Sequence, residues 1–284
     1  MCQTVKLNVL EFTFLVWAGA LAAGFLGALT GLGGGVVLVP LLTIFFHVDL
    51  RYAIGASLVS VIATSSGSAA AYVKEGFSNI RIGMFLEIAT TMGALLGAYL
   101  TAKVPTNAIA IIFGLVLAYS AYVSRRVRPR SESQEPPDPL ATKLKMNGNF
   151  PDTRGLRSYN VYHVPTGFGV MFGAGALSGL LGIGSGALKV VAMDQAMKIP
   201  FKVSTTTSNF MIGVTAAASA GVYLSRGYID PSLAMPVMLG VLLGSLVGTR
   251  VLVKTQTKSL RLVFSIVIVL LGVEMLFKGF RGGF

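Results

Sequence analysis

The chain has 284 residues, of which 54% are hydrophobic and 12% are charged, and its mean hydropathy is +0.74. A typical soluble domain carries about 25% charged residues, so this composition excludes a soluble globular fold, whose surface needs more polar groups. The net charge of +12 does not indicate nucleic-acid binding, because the basic residues gather in loops beside apolar segments. We therefore expect an all-α polytopic membrane protein.

Ten apolar segments follow in chain order, five in each half of the sequence. They lie at about 10–30, 33–46, 52–73, 81–102 and 107–123, and then at about 163–182, 184–197, 203–224, 231–252 and 259–277. The second segment of each half has about 14 residues, or ~21 Å of helix, which is too short to cross a bilayer. Each opening pair of segments is therefore predicted to form a helical hairpin that is broken at glycine.

A polar stretch separates the two halves. Residues 125–159 are rich in proline, serine and charged residues, which predicts a linker or a mobile cytoplasmic loop that cannot bury a core. The predicted domains are a first transmembrane repeat at 1–124, the linker at 125–159, and a second transmembrane repeat at 160–284.

The two halves repeat each other at a constant spacing of 151 positions. The matched residues include Gly24, Gly31, Gly33, Ser57, Thr64, Gly93 and Gly97, which return as Gly175, Gly182, Gly184, Ser208, Thr215, Gly244 and Gly248. Such a doubled, glycine-interrupted unit is typical of secondary transporters, and an odd number of crossings per half predicts inverted repeats. The matched GxxxG pairs indicate close helix crossings.

The basic residues are divided unequally between the two predicted sides. Counted under five crossings per half, one side has Lys74, Arg81, the eight basic residues of the linker, Lys198, Lys202, Lys254 and Lys258, and the other has Lys6, Arg51, Lys103, Arg226, Lys278 and Arg281. The positive-inside rule then predicts a cytoplasmic linker and both termini outside. This orientation also holds if each opening hairpin only enters the membrane and returns.

The two glycine breaks are the first candidate binding site. A break before a short helix exposes backbone N–H groups whose dipoles favour negative charge, so two such ends facing each other can hold an anion. For a single break, close helix packing is the favoured explanation, but the symmetric pair reverses that preference and favours the anion site. The predicted contacts are Gly33, Gly34, Gly35, Gly184, Ser185 and Gly186.

Hydroxyl side chains follow one face of the third segment in each half. Ser57, Ser60 and Thr64 are spaced at helical intervals, and hydroxyls and amides can donate hydrogen bonds to the oxygens of an oxyanion. Tight helix contact or bonding to the i−4 carbonyl is the alternative role. The predicted substrate contacts near the breaks are Ser57, Ser60, Thr207, Ser208 and Asn209.

Lys189 is the most informative single residue, because a cation at membrane depth is costly without a partner. A substrate anion is one such partner. Pairing with Asp194 and extension of the side chain to the cytoplasmic surface are the alternatives.

Glu87 and Glu274 would suit proton coupling if buried, although structural pairing is the favoured interpretation. No grouping of His, Cys and carboxylates suggests a metal or cofactor, and no nucleophile with a base suggests an enzyme.

The glycine breaks resemble those of the TauE/SafE sulfite exporter family, also called the 4-toluene sulfonate uptake permeases. The resemblance rests on the run from Gly24 to Gly35 followed by Pro40, and on its second copy from Gly175 to Gly186. It implies a multi-pass cytoplasmic-membrane protein that moves sulfur-containing anions such as sulfite, sulfoacetate or other sulfonates, by export or by uptake. The second copy departs from the pattern at Ser185 and at Val191, which stands in place of the proline.

The sequence thus predicts an alternating-access carrier, with export as the working assumption, whose partners are a small sulfur-containing or organic anion and the lipid bilayer. A coupling proton or ion is left open, and no nucleic acid or cofactor is expected. The alternatives are a channel-like anion pore, or a membrane scaffold or sulfur-trafficking component.

Overall fold

The computed structural model describes residues 9–30, 34–74, 78–125, 138–152, 155–184, 186–254 and 257–282. Over these residues the first half forms α1 Val9–Thr30, α2 Gly35–Ile44, α3 Leu50–Lys74, α4 Ile80–Leu100 and α5 Thr106–Arg125. The linker forms α6 Pro139–Lys143 and a hairpin of β1 Gly148–Asp152 and β2 Gly155–Tyr159. The second half forms α7 Val164–Leu181, α8 Gly186–Val191, α9 Phe201–Ser225, α10 Pro231–Lys254 and α11 Thr257–Arg281. The ten predicted segments and the all-α membrane fold are confirmed.

Helices α1, α4, α7 and α10 are long and apolar enough to cross a membrane. Their outer faces expose large apolar side chains, such as Met84, Ile88 and Met92 on α4 and Leu239 and Leu243 on α10. Because such a surface is unfavourable in water and favourable in lipid, it identifies the faces that contact the bilayer.

Helices α3 and α9 form the centre of the bundle. Each has 25 residues, or ~37 Å at 1.5 Å per residue, and they pack against each other, with α10 beside α3 and α4 beside α9. The buried serines and threonines of these two helices include Ser57, Ser60, Ser65, Ser204, Thr206, Thr207, Ser208, Thr215 and Ser219. Other helices surround this polar pair, so its hydroxyls bond within protein and do not meet lipid.

The first helix of each half packs against the fourth helix of the other half, α1 on α10 and α7 on α4. A methyl group added at Gly24 would lie 2.7 Å from the Cα of Val241, and one at Gly175 would lie 2.7 Å from the Cα of Thr90. These two contacts are related by the same spacing of 151 positions. The GxxxG residue Gly93 likewise lies against the backbone of α7, and Gly244 against that of α1, so the predicted close helix crossings are present.

Each opening pair of helices is a hairpin that returns to the end of the bundle where it began. In the first hairpin the rings of Phe12 and Phe46 lie 6.0 Å apart. In the second, α8 continues into a π-helical turn at Ala192–Ala196, and the Tyr162 N–H donates to the Met197 carbonyl at 3.1 Å. The second hairpin's ends pack near the start of α4 and the first hairpin's ends lie near the start of α3, so the two hairpins open toward opposite ends of the bundle.

The second helix of each half is short, as the sequence predicts. Helix α2 has 10 residues, or ~15 Å of helix, and α8 has 6 residues. The predicted orientation does not depend on whether these two helices cross the membrane, because it also holds if each opening hairpin enters the membrane and returns.

The second part of the linker is folded, contrary to the prediction that residues 125–159 cannot bury a core. We call residues 138–163 the linker cap. Within it Met146, Phe150 and Tyr159 are at most 6% exposed and pack with Ile82 and Met193. The composition of the whole linker did not predict this packing, because prolines and charged residues dominate its first part. Residues 126–137, 153 and 154 lie outside the described residues.

Candidate functional site

The two glycine breaks lie next to each other. The hydroxyl of Ser57 on α3 donates to the carbonyl of Gly182 at 2.8 Å, and a methyl group added at Gly35 would lie 3.1 Å from that same carbonyl oxygen. Gly182 and Gly184 have φ angles of 67° and 68°, a left-handed conformation that favours glycine. Gly33 and Ser185, two of the predicted contacts, lie outside the described residues.

Two apolar side chains fill the space between the breaks. A methyl group at Gly35 would lie 3.0 Å from Val61, and one at Gly184 would lie 3.1 Å from Val61 and 2.8 Å from Ile212. Val61 and Ile212 are themselves matched residues of the repeat, 151 positions apart, and they are 1% and 2% exposed. The structure therefore has closed packing at the place where the sequence predicts an anion.

The predicted hydroxyl contacts bond to backbone groups in this conformation. Ser60 donates to the carbonyl of Ala56 at 3.0 Å, and Ser208 donates to the carbonyl of Gly186 at 3.2 Å. The structure thus brings Ser57 and Ser208 to the two breaks. Thr207 instead accepts from the backbone N–H of Asn79 at 3.0 Å, at the start of α4.

Three further predicted contacts occupy different surroundings. Gly34 packs against Val241 of α10, and Gly186 begins α8 and is buried. Asn209 lies on α9 and is partly buried. These positions surround the breaks without forming one continuous polar surface in the closed conformation.

Lys189 lies within a cluster that we call the charge cluster, made of Lys189, Thr215 and Glu87. Its side chain is completely buried, its Nζ donates to the Thr215 hydroxyl at 2.5 Å, and it lies 3.8 Å from Glu87 Oε2. The Thr215 hydroxyl donates to Glu87 Oε1 at 2.6 Å. Complete burial excludes extension of Lys189 to the surface, and the carboxylate paired with it belongs to α4.

Glu87 is the member of the charge cluster that the sequence prediction left out of the candidate site. Its Oε1 accepts from Thr215 and from Thr91, the latter at 3.2 Å, whereas its buried Oε2 has no hydrogen-bond partner among the described residues. The repeat held a signal for the pair. The spacing of 151 positions relates Lys189 to Leu38 and Glu87 to Met238, so both charges stand where the other half has apolar residues.

The charge cluster is part of a regular contact between α4 and α9. Asn79 bonds to Thr207, Glu87 to Thr215, and the Arg226 guanidinium to the carbonyl of Ala98 at 3.0 Å. Each pair is separated by 128 positions, so the two helices run parallel with a constant register. This register places the Glu87 carboxylate against the Thr215 hydroxyl, which also accepts a hydrogen bond from Lys189 of α8.

The described residues contain no group of three or more His, Cys, Asp or Glu side chains placed to hold a metal ion. The site is instead a buried cation, a carboxylate and several hydroxyls beside two broken helices. A helical bundle with lipid-type outer faces and this interior defines a multi-pass membrane protein with a polar site between its helices.

The chain belongs to the sulfite exporter TauE/SafE family, whose sequence model matches residues 16–275. It is 29% identical to YunE of Bacillus subtilis, named a probable membrane transporter protein, over 95% of this chain and 99% of that one. It is 25% identical to a probable membrane transporter protein of Methanocaldococcus jannaschii, over 94% and 98% of the two chains. No solved structure matches the chain significantly. The family and these relatives make it a membrane transporter and not an enzyme.

Proposed function

We propose that this protein is a secondary transporter, working as an exporter, of small sulfur-containing anions such as sulfite, sulfoacetate and other organosulfonates. The family description supports this substrate class. The observation that carries the proposal is the completely buried lysine beside the second glycine break, because a buried cation in a membrane protein marks an anion or ion pathway.

The proposed architecture is a pair of inverted repeats with the substrate between them. Two observations support a pseudo-two-fold axis. The two hairpins open toward opposite ends of the bundle, and the crossing of α1 on α10 matches that of α7 on α4. This axis relates two groups of helices, which we call the first bundle (α1, α2, α3, α10) and the second bundle (α4, α7, α8, α9). The first helix of each half thus belongs with the fourth helix of the other.

The two bundles separate at the contact of α3 with α9 when substrate enters. The side chains of Val61 and Ile212 then withdraw from between the breaks, and the bond from Ser57 to the Gly182 carbonyl opens. The anion contacts the break residues, the hydroxyls of Ser57, Ser60, Thr207 and Ser208, and Asn209, while Lys189 balances its charge. Charge-assisted hydrogen bonds of this kind are the stronger class in proteins.

Flux in proteoliposomes tests this proposal. Wild-type protein should carry labelled sulfite or sulfoacetate with saturable kinetics and should show counterflow, whereas a channel-like pore would show neither. Lys189→Met should lower the rate about tenfold or more, as loss of one charged contact predicts, and Ser208→Ala should raise the KM. Ser225→Ala is the matched control, because that serine is exposed on the same helix. Unchanged rates and affinities in both variants would remove Lys189 and Ser208 from the site.

A further inference from the structure

The charge cluster holds one positive and one negative charge, which cancel. The carboxylate of Glu87 already neutralises Lys189, at an Nζ to Oε2 distance of 3.8 Å. A monovalent anion that joined this cluster would leave one uncompensated negative charge in a buried site, which is costly. Glu87 would also repel the anion, because an ionised carboxylate accepts hydrogen bonds and donates none.

We propose that a proton binds Glu87 Oε2 whenever the substrate anion binds Lys189, so that the protein couples anion transport to proton movement in the same direction. This inference rests on the proposed function. The proton neutralises the carboxylate, releases Lys189 to pair with the anion and turns Glu87 into a hydrogen-bond donor. The loaded and the empty cluster then carry the same net charge, which is what crossing a low-dielectric interior requires.

The hydrogen bonds of the cluster favour Oε2 as the protonation site. Glu87 Oε1 is occupied by the hydroxyls of Thr215 and Thr91, whereas the buried Oε2 has no hydrogen-bond partner among the described residues. Buried polar atoms normally have a partner, so this orphaned oxygen needs an explanation. A proton that arrives with the substrate supplies one, because the resulting hydroxyl can donate to an anion oxygen.

The surroundings of Glu87 offer few other ionisable groups. Helix α7 carries none along its length, and α8 carries Lys189. On α9, Lys202 lies at the exposed start and the Tyr223 hydroxyl bonds Thr101 at 2.8 Å. Asp194 lies in the π-helical turn and is partly exposed. The side chain within ion-pair distance of Glu87, among those described, is therefore Lys189.

The direction of transport follows from the gradients of both partners. With one proton per monovalent anion the cycle moves no net charge, so an acidic exterior drives uptake. Export occurs when the product of the internal anion and proton concentrations exceeds the external product. A carrier of this kind is therefore compatible with export of an anion that accumulates in the cell.

The test uses methanesulfonate, which has one negative charge throughout the pH range of the assay, in proteoliposomes clamped at zero potential. Two rates are compared for the same vesicles: exchange of labelled for unlabelled anion, and accumulation under an acidic exterior. A difference of two pH units should support accumulation of up to about 100-fold, since each pH unit is a factor of ten. A trapped pH dye should report the entry of one proton per anion.

In the variant Glu87→Gln the neutral amide leaves Lys189 available to the anion, so exchange should remain measurable although slower. Accumulation driven by the pH gradient should be lost. Glu274→Gln is the matched control, since Glu274 is exposed on α11, and it should accumulate like wild type. Exchange in Glu87→Gln also shows that the variant folds, and the dye measurement on wild type needs no variant.

The outcomes separate the two proposals. If wild type exchanges the anion but the pH gradient does not drive accumulation, or the vesicle interior does not acidify, proton coupling is overturned and the transporter proposal stands. Equal accumulation in Glu87→Gln and wild type would have the same meaning. Absence of exchange in wild type for methanesulfonate and for labelled sulfite alike would overturn the proposed function itself.

Discussion

Lys189 and Glu87 form a pair whose counterpart in the repeat is apolar. Thr215 corresponds to Thr64, so the two halves share the hydroxyl but differ in both of its charged neighbours. An unpaired buried charge is far more costly than a buried pair. Lys189 without Glu87, or Glu87 without Lys189, would therefore destabilise the fold. This explains why the two charges occur together, while the other half keeps Leu38 and Met238.

This asymmetry predicts a non-additive effect on stability. The single change Lys189→Leu should cost about 3–5 kcal/mol of unfolding free energy, because it leaves Glu87 buried and unpaired. The double variant Lys189→Leu with Glu87→Met copies the residues of the other half and should lie close to wild type or above it. Unfolding in mixed SDS micelles measures both values. A double variant no more stable than the single one would contradict the interpretation of the cluster as a neutral pair.

At the scale of elements, the glycine crossings hold the helices of each bundle together. The backbone of α1 meets that of α10, and the backbone of α7 meets that of α4, because glycines leave no side chain between them. Membrane helices lack a hydrophobic driving force for association, so close backbone contact is a main source of stability. The crossings therefore resist separation, whereas the α3–α9 contact consists of side chains that can rearrange.

Substitution of these glycines should show the difference. Gly24→Ala and Gly175→Ala each place a methyl group 2.7 Å from a Cα atom of the partner helix, and overpacking of this kind costs about 1–3 kcal/mol. Gly173→Ala on α7 is the control, because no atom outside the helix's own neighbouring backbone lies within 4 Å of the added methyl group. This change should leave stability unchanged or raise it by up to about 1 kcal/mol. The thermal midpoint in detergent measures all three, and equal midpoints would show that these crossings do not stabilise the fold.

The sequence predicts the helices well and their partners poorly. Apolar length and the glycine breaks located all ten segments, because each signal is local in the chain. No local signal could show that α1 packs on α10, since periodicity identifies an apolar face but not the helix that it meets. Glu87 was expected to form a structural pair and was left out of the predicted site for the same reason: its partner Lys189 belongs to the other half. The linker cap was missed because its apolar residues are few and lie among prolines and charges.

At the scale of the whole molecule, the folded linker cap is attached to the helices that carry the charge cluster. Asn79, the N-cap of α4, bonds to the Met146 carbonyl at 2.9 Å and to the Tyr159 hydroxyl at 2.7 Å. Burial raises the pKa of the Tyr159 phenol above its usual value, which keeps it neutral at this contact. The cap thus rests on the second bundle, and a separation of the two bundles need not disturb it.

The linker cap also gives the proposed orientation a direct test. At the cap end the described basic residues include Arg81, Lys143, Lys145, Arg157, Lys198 and Lys202, and at the opposite end they include Arg51, Lys103, Arg226, Lys278 and Arg281. The sequence has three further arginines within 126–137, in the predicted linker. By the positive-inside rule we therefore expect the cap in the cytoplasm and the end of α11 outside.

Cysteine labelling measures this orientation, because Cys2 is the one cysteine of the chain and can be replaced by serine. In that background, Lys143→Cys on the cap and Arg281→Cys at the end of α11 introduce single thiols at exposed positions. A membrane-impermeant maleimide should label Arg281→Cys in intact cells and Lys143→Cys in inverted vesicles. The reverse pattern would show that the predicted orientation is wrong. Labelling of both cysteine variants from the same side would show that the cap and the end of α11 lie on one side of the membrane. That last result would also exclude the inverted repeat, because α11 must cross the membrane to separate its end from the cap.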